Sequence, residues 1–211
     1  MDKRVLKTKI GIDLGIKDLV VTSDGLKINN PKHLKKHENK LAKAQRVLSK
    51  KQKGSKNRFK AKLKVAKIHA KIADTRKDFL HKLSTKLINE NQVICVEDLA
   101  VKNMVKNRHL SKAISDVGWG EFVRQLEYKS KWYGRGFVKI GRFFPTSKRC
   151  FECGYVAESL PLDVRSWRCP SCNVILDRDI NASKNILEVG TTFLACGENV
   201  KLVSNSISCS Q

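Results

Sequence analysis

Residues 150–181 carry the pattern that decides this protein's organisation, CFECGYVAESLPLDVRSWRCPSCNVILDRDIN. Two CxxC pairs, Cys150 with Cys153 and Cys169 with Cys172, are separated by fifteen residues. Each CxxC pair forms a tight turn that directs two sulfurs at one ion, and this spacing is typical of a four-thiolate zinc ribbon. Four sulfur ligands leave no coordination position open for water, so we expect one structural zinc ion. The alternative is two disulfides, which a reducing compartment disfavours.

Three acids form a second candidate site. Asp13 ends an apolar strand in GIDLG, Glu97 ends another in ICVED, and Asp179 lies in DRDINAS at a predicted helix start. Taken singly, each is most often a cap or turn residue. If the two strands are parallel neighbours, both carboxylates emerge at one sheet edge, where a helix could add the third. Such carboxylates repel each other unless cations hold them, and two Mg²⁺ or Mn²⁺ ions would suit phosphodiester hydrolysis.

The composition points to a polyanionic partner. Lys and Arg outnumber Asp and Glu by 43 to 20, a formal charge of +23. Nucleic acid is therefore the expected partner, and an anionic membrane surface is the weaker alternative. No apolar run approaches the ~18 residues of a membrane span, and the N-terminus has no apolar signal-peptide core. We expect no membrane association and a cytoplasmic location.

A strongly basic helical hairpin is predicted over residues 31–90. Apolar residues recur at helical spacing on both sides of the break KGSKN at 53–57, and Asn30 with Pro31 resembles a helix start. The segment holds 20 Lys and Arg but 4 Asp and Glu. Such a face is usually only solvated, yet an excess this one-sided favours a surface that faces phosphates.

The remaining periodicities indicate an α/β sheet with insertions. Strands are predicted at 7–13, 17–22, 26–29, 92–97 and 137–143, with a helix at 118–133 and an exit loop after Glu97. The continuous apolar run at 92–97 is typical of a central strand covered on both faces. The order of strands, helices, strand, helix, strand, metal module and helix describes one sheet with a helical and a metal-binding insertion.

Three segments carry a family resemblance: GIDLGIKDLVV (11–21), VICVEDLAVKNM (93–104) and DRDINASKNIL (177–187). In order and spacing they resemble the RuvC-like nuclease of TnpB (OrfB) proteins of insertion sequences, relatives of type V CRISPR effectors. The resemblance implies an RNase H-like mixed sheet in which Asp13, Glu97 and Asp179 are catalytic and bind magnesium. It gives Asp177 a capping or supporting role.

The resemblance also implies how the chain is divided. A RuvC-like nuclease would occupy 1–149 with the hairpin at about 31–90, followed by a zinc ribbon at 150–176, the last nuclease helix at 177–190 and a flexible tail at 191–211. Asn181 and Lys184 would either orient the site or be ordinary helix-surface residues. Since family members have a substantial N-terminal half, we expect this chain to be the nuclease half of a truncated or split element.

The leading functional hypothesis is therefore a Mg²⁺-dependent DNA endonuclease of RuvC type. Its expected partners are DNA and a guide RNA from the mobile element. One alternative is a truncated, non-catalytic DNA- or RNA-binding remnant that regulates its mobile element. A weaker one is a DNA-joining transposase, since RNase H-like folds serve both cutting and joining.

Overall fold

The computed structural model describes residues 7–161, 163–196, 200–203 and 206–209 of the 211-residue chain. The strands are β1 (Lys7–Asp13), β2 (Asp18–Thr22), β3 (Lys27–Asn29), β4 (Asn91–Glu97), β5 (Gly136–Ile140), β6 (Ser166–Arg168), β7 (Ile175–Asp177), β8 (Val200–Val203) and β9 (Ser206–Cys209). The helices are α1 (His33–Ser49), α2 (Lys56–Glu90), α3 (Val101–Met104), α4 (Ser111–Val117), α5 (Trp119–Trp132) and α6 (Arg178–Cys196).

A mixed sheet of five strands, in the order β3-β2-β1-β4-β5, forms the centre of the fold. β1 pairs antiparallel with β2, whereas β4 runs parallel to both β1 and β5. The apolar run predicted to be a central strand is β4, where Ile94, Cys95 and Val96 are fully buried. The predicted mixed α/β architecture is confirmed.

Alternating side chains of β4 divide the core into two layers. Ile94 and Val96 belong to the larger cluster, which also contains side chains of α2 and α5 such as Leu80 and Phe122. Cys95 projects to the opposite face and packs with Ile186 and other side chains of α6. Helix α6 therefore lies across the second face of the sheet, and its position determines where its N-terminus meets the strand ends.

Two glycines allow α6 to approach the sheet closely. A Cβ atom added to Gly11 of β1 would lie 2.1 Å from the backbone oxygen of Ser183, and one added to Gly190 would lie 2.4 Å from the Cys95 sulfur. Neither position has room for a methyl group. The contact at Gly11 is two residues before Asp13, so it sets the depth of α6 beside the candidate site.

We expect Gly11→Ala to destabilise the fold, because the new methyl group would collide with backbone atoms that cannot rotate away. Overpacking of this kind costs about 1–3 kcal/mol, which lowers the melting temperature by several degrees. Gly120 of α5 offers a matched control, since a Cβ there meets nothing within 4 Å. Gly120→Ala should be neutral or stabilising by up to about 1 kcal/mol. Equal melting temperatures for the two variants would contradict the close approach.

The predicted helical hairpin is formed by α1 and α2. Ser55 caps α2, accepting the backbone N–H of Arg58 at 3.2 Å. α2 is 35 residues long and most of its lysines are exposed. Within the described part of the chain, no helix combines the length and apolar character needed to cross a membrane.

The predicted start of α1 at Asn30 and Pro31 is wrong, because the helix begins at His33. The backbone N–H of Leu34 is bonded to the two carboxylate oxygens of Asp116, at 3.0 and 3.1 Å. A carboxylate 82 residues away in sequence thus stabilises the helix start. Local sequence could not show this contact, because it exists only after α4 has packed beside α1.

Three other boundaries differ from the predictions. The exit loop after Glu97 contains the short helix α3, and the strand predicted at 137–143 is β5, which ends at Ile140. Helix α6 passes the predicted end at residue 190 and continues to Cys196, because Gly190 is a packing contact rather than a stop signal. The rest of the predicted tail includes the antiparallel pair β8 and β9, while 197–199, 204–205 and 210–211 are outside the described residues. Flexibility of the tail stays a prediction.

Candidate functional site

The fold brings three separate acids to one cleft. Asp13 is the last residue of β1 and Glu97 the last of β4, and the parallel register pairs Ile12 with Val96 just before them. Both carboxylates therefore leave the sheet at the same edge. Asp179, in the first turn of α6, faces the same cleft. The three acids that the sequence predicts to form a site line the same cleft.

The cleft is open to solvent and has a volume of about 750 Å³. Basic groups surround the three acids. Those that line the cleft are Lys17, Arg142, Lys148, Arg165 and Arg178. The basic rim suits an anionic ligand. The acidic centre suits divalent cations that such a ligand would also contact.

Burial and mutual repulsion perturb the acids. Burial, followed by the charges of Asp179 and Glu97, raises the pKa of Asp13 from 3.8 to about 7, although the backbone N–H of Leu14 lowers it. Burial and the neighbouring charge of Asp98 raise the pKa of Glu97. Such shifts arise where carboxylates lack a compensating cation. Carboxylate oxygens are the ligand type that a hard divalent ion such as Mg²⁺ prefers.

The pKa of Asp13 predicts how stability depends on pH. Because the folded state raises this pKa above its value in the unfolded chain, Asp13 favours folding below about pH 4, and that advantage is lost as the pH rises to about 7. Without added Mg²⁺, stability should therefore fall between about pH 4 and pH 8. Since the cleft is open to water, we expect roughly 1–2 kcal/mol from this group.

Thermal melting of the parent and of Asp13→Asn checks this prediction. The variant removes the buried charge, so at about pH 8 without added Mg²⁺ it should melt above the parent. Added Mg²⁺ should raise the melting temperature of the parent more than that of the variant. A variant that melts below the parent across the whole pH range would contradict the raised pKa of Asp13.

Asp177 has a different environment from Asp179. Its Oδ1 accepts the backbone N–H groups of Asp179 at 3.1 Å and Ile180 at 3.0 Å, which is the geometry of a helix N-cap. Its Oδ2 accepts Lys27 Nζ at 2.6 Å. Burial raises the pKa of Asp177, but the bond from Lys27 and the two N–H groups outweigh it, and the net pKa is lowered. Asp177 is thus engaged as a cap and as an ion-pair partner.

Asp179 has a weaker protein partner, the guanidinium of Arg165. Arg165 Nη1 lies 3.5 Å from both carboxylate oxygens of Asp179. Arg165 comes from the segment between the two CxxC pairs, so the cysteine-rich module contributes a cation to the cleft. Its side chain is 57 % exposed and can therefore turn towards a ligand. Sequence reasoning missed this residue, because one arginine among many carries no distinguishing signal.

The four predicted zinc ligands form a cluster that can hold a metal ion. Their Sγ atoms all lie within 4.8 Å of one another, and none of the four forms a disulfide. Cys150 and Cys172 are 3.7 Å apart and Cys153 and Cys169 are 3.6 Å apart. Tetrahedral zinc with Zn–S bonds of about 2.3 Å requires sulfurs about 3.8 Å apart. The geometry therefore fits the predicted zinc ribbon.

The two turns that carry the cysteines have matching backbone geometry. Gly154 has a φ of 76° in the first turn and Asn173 a φ of 60° in the second. In each turn the residue with positive φ donates its N–H to the first cysteine carbonyl, at 2.9 Å to Cys150 and 2.9 Å to Cys169. Glycine and asparagine are the residues that tolerate this conformation best. Both turns were predicted from the CxxC pairs, but the positive-φ position of Asn173 in the second turn was not recognised from sequence.

A buried polar network fastens the cysteine module to α6. Arg149, only 4 % exposed, donates from Nη1 to Asn185 Oδ1 and to Glu188 Oε2, each at 2.7 Å. The Arg149 carbonyl accepts the side-chain amides of Asn181 and Asn185, also at 2.7 Å. Asn181 Oδ1 accepts the backbone N–H of Phe151 at 2.9 Å. The network therefore joins Arg149, just before the first CxxC pair, to α6, the helix that bears Asp179.

These contacts decide the open question about Asn181 and Lys184. Asn181 is buried and bonded to the cysteine module rather than directed at the acids. Lys184 Nζ lies 5.2 Å from the ring centre of Phe151 and 3.9 Å from Glu152 Oε1. Both residues therefore join α6 to the first cysteine turn. Sequence analysis missed Arg149, Asn185 and Glu188, since their partners are 36 to 39 residues distant along the chain.

The fold and its two sites define a mixed α/β protein with an acidic cleft and an attached four-cysteine module. Residues 3–108 match the family described as "Probable transposase" (OrfB_IS605), and residues 119–186 match the "Cas12f1-like, TNB domain" family. The chain belongs to the TnpB (OrfB)-like family, as its sequence motifs predicted.

Relatives in two bacteria show how far the similarity extends. The chain is 54 % identical over 192 residues to a "Putative RNA-guided DNA endonuclease" of Streptomyces pristinaespiralis, covering 91 % of this chain and 48 % of the relative. It is 36 % identical over 207 residues to "Putative RNA-guided DNA endonuclease InsQ" of Escherichia coli (strain K12), covering 91 % and 51 %. The chain thus spans about half the length of these relatives.

One solved structure has the same fold. A chain in the "Cryo-EM structure of the Cas12f1-sgRNA-target DNA complex" matches with a TM-score of 0.63 at 20 % identity, over 89 % of this chain and 51 % of that chain. At this identity the match concerns the fold.

Proposed function

We propose that this chain is the nuclease part of a TnpB-like protein, a DNA endonuclease of RuvC type on an RNase H-like sheet. The observation that carries the proposal is the convergence of Asp13, Glu97 and Asp179. These acids come from segments 82 and 84 residues apart in sequence and meet in one cleft with a basic rim. The relatives carry the names "Putative RNA-guided DNA endonuclease" and "Putative RNA-guided DNA endonuclease InsQ", which support the same class.

The three carboxylates would hold two Mg²⁺ or Mn²⁺ ions. Ions at such a site activate water and stabilise the leaving oxygen of a phosphodiester. Asp13 and Glu97 are fixed by the ends of two paired strands, and Asp179 is fixed by the packing of α6. The protein therefore contributes rigid ligand placement. Deprotonation of Asp13, whose pKa is about 7, would accompany binding of the ions.

The basic groups of the cleft would bind the DNA backbone. Arg165, loosely paired with Asp179, can exchange that carboxylate for a phosphate oxygen. Arg178 and Lys148 line the same cleft and add positive charge to it. As cations, they would contact the DNA backbone rather than the metal ions. These groups orient the strand so that a phosphate lies over the acids. The four cysteines would hold one structural Zn²⁺, which keeps Arg165 in place.

The helical hairpin would supply a larger backbone-binding surface. Asp78 pairs with Lys82 and Glu38 pairs with Lys112. These pairs leave most of the positive charge of α1 and α2 uncompensated, so a nucleic-acid backbone is its expected counterion. By analogy with the relatives, that partner would be a guide RNA from the mobile element together with target DNA.

Cleavage assays with the purified chain test the proposal. Labelled single-stranded and supercoiled DNA would be incubated with Mg²⁺, with Mn²⁺ or with EDTA, each with and without RNA that co-purifies from the host. We expect nicking that depends on the divalent ion and falls steeply with salt. Tight, salt-sensitive binding without cleavage under all these conditions would instead favour the non-catalytic binding remnant. Strand-transfer products would favour the DNA-joining alternative.

A further inference from the structure

Phe143 is an exposed aromatic residue at the rim of the acidic cleft. Its side chain is 93 % exposed, although phenylalanine usually lies in the core. It lines the same cleft as Asp13, Glu97 and Asp179. A single exposed apolar residue needs no explanation by itself, so its surroundings decide whether it has a role.

The backbone around Phe143 is firmly held. The N–H of Phe144 is bonded to the carbonyl of Gly141 at 3.2 Å, which closes a turn with Phe143 near its tip. Phe144 points inward and packs against the core layer beneath α6. The carbonyl of Thr146 accepts the side-chain amide of Asn185 at 2.8 Å. Phe143 is therefore presented outward on an anchored turn, with its neighbour Phe144 providing the packing.

Positively charged groups line the same cleft as Phe143. Arg142 directly precedes Phe143 in the chain. Its guanidinium forms an ion pair with Asp98, the residue that follows Glu97. Lys148 and Arg165 line the same cleft. An aromatic face beside cations that contact phosphates is the combination by which proteins bind single strands, because the base stacks on the ring while the backbone meets the positive charges. Paired bases already stack on each other, so only an unpaired base can use this ring.

We propose that Phe143 is a stacking platform for an unpaired base of the DNA strand that enters the acidic cleft. The inference rests on the proposed nuclease function, since it places the base next to the phosphate to be cut. Stacking would hold the strand in register over Asp13, Glu97 and Asp179. Phe143 would thus act in substrate positioning, without contacting the reacting phosphate.

A binding experiment tests the platform independently of cleavage. The background protein is the full chain with Asp13→Asn, Glu97→Gln and Asp179→Asn, which cannot cut its ligand. The probe is a single-stranded DNA of about ten nucleotides, in the size range of such sites, with one 2-aminopurine whose emission is quenched by stacking. Phe143→Ala should weaken binding about 5- to 20-fold and restore emission, whereas Phe143→Trp should preserve both.

Trp132→Ala provides the matched control, because Trp132 is also an exposed aromatic residue but lies at the end of α5, outside the cleft lining. This variant should bind the probe and quench it like the background protein. Equal effects of the two alanine variants, or unchanged quenching in Phe143→Ala, would overturn the proposal. Duplex DNA of the same sequence should be insensitive to Phe143→Ala, and an RNA probe that responds where DNA does not would also refute it. Since no cleavage is measured, failure of the nuclease assay leaves this result interpretable.

Discussion

Asp179→Asn should abolish divalent-ion-dependent cleavage, while Asp177→Asn should leave most of it intact. Loss of a direct metal ligand should cost more than the 10–100-fold typical of residues that only orient ligands, so we expect a loss of at least about a hundredfold. Asp177 serves as a helix cap and as the partner of Lys27. Asparagine is an equally good cap, so Asp177→Asn should lose less than about tenfold.

The pair of variants is a stringent comparison because the two acids are two residues apart on the same helix start. Cleavage rates at saturating Mg²⁺ and the Mg²⁺ concentration for half-maximal rate would both be measured. Circular dichroism and thermal melting would confirm that each variant is folded. The reverse ranking, with Asp177→Asn inactive and Asp179→Asn active, would move the metal ligand to Asp177. Asp13→Asn and Glu97→Gln should resemble Asp179→Asn.

Cys153→Ser should release the zinc ion and unfold the cysteine module. Apparent binding free energies of structural zinc in small peptides are about 10–16 kcal/mol, far more than a short module with few buried side chains can replace. The module has a small apolar centre, Trp167 and Leu176 with two of the cysteines. We expect about one zinc per chain in the parent and almost none in the variant.

Elemental analysis and amide hydrogen exchange would measure these effects. Loss of protection should extend from the module through the Arg149 network to the first turns of α6, and should lower cleavage because Arg165 and Asp179 lose their positions. Ser171→Ala, an exposed residue between Cys169 and Cys172, is the control and should retain zinc and protection. A Cys153→Ser protein with unchanged zinc content would refute the ligand assignment.

Much of the acidic site could be predicted because strand ends are encoded locally. An apolar run followed by an acid marks both Asp13 and Glu97, and parallel pairing then brings them together. The cysteine site was also predictable, since two CxxC pairs at this spacing specify four sulfurs around one ion. What stayed open was the role of each polar residue on α6. Asn181 and Lys184 could have faced the acids, and the structure directs both to the cysteine module instead.

Contacts between distant segments explain what sequence reasoning missed. The cap of α1 comes from Asp116, and the network around Arg149 joins groups far apart along the chain. Gly190 was interpreted as the end of a helix, but it is a site of close packing on Cys95. A glycine that terminates a helix and one that permits close packing have the same appearance in sequence. Only the neighbouring element distinguishes them.

The amino-acid sequence by itself determined the mixed α/β class, the basic hairpin, the cluster of four cysteines and the positions of the three acids at element ends, because periodicity and cysteine spacing are local properties. Tertiary structure decided the depth of α6, the ion pair of Asp177 with Lys27, the approach of Arg165 to Asp179 and the exposure of Phe143 at the cleft. Each of these depends on which elements pack together, and that packing is determined by buried surface and available space over the whole chain.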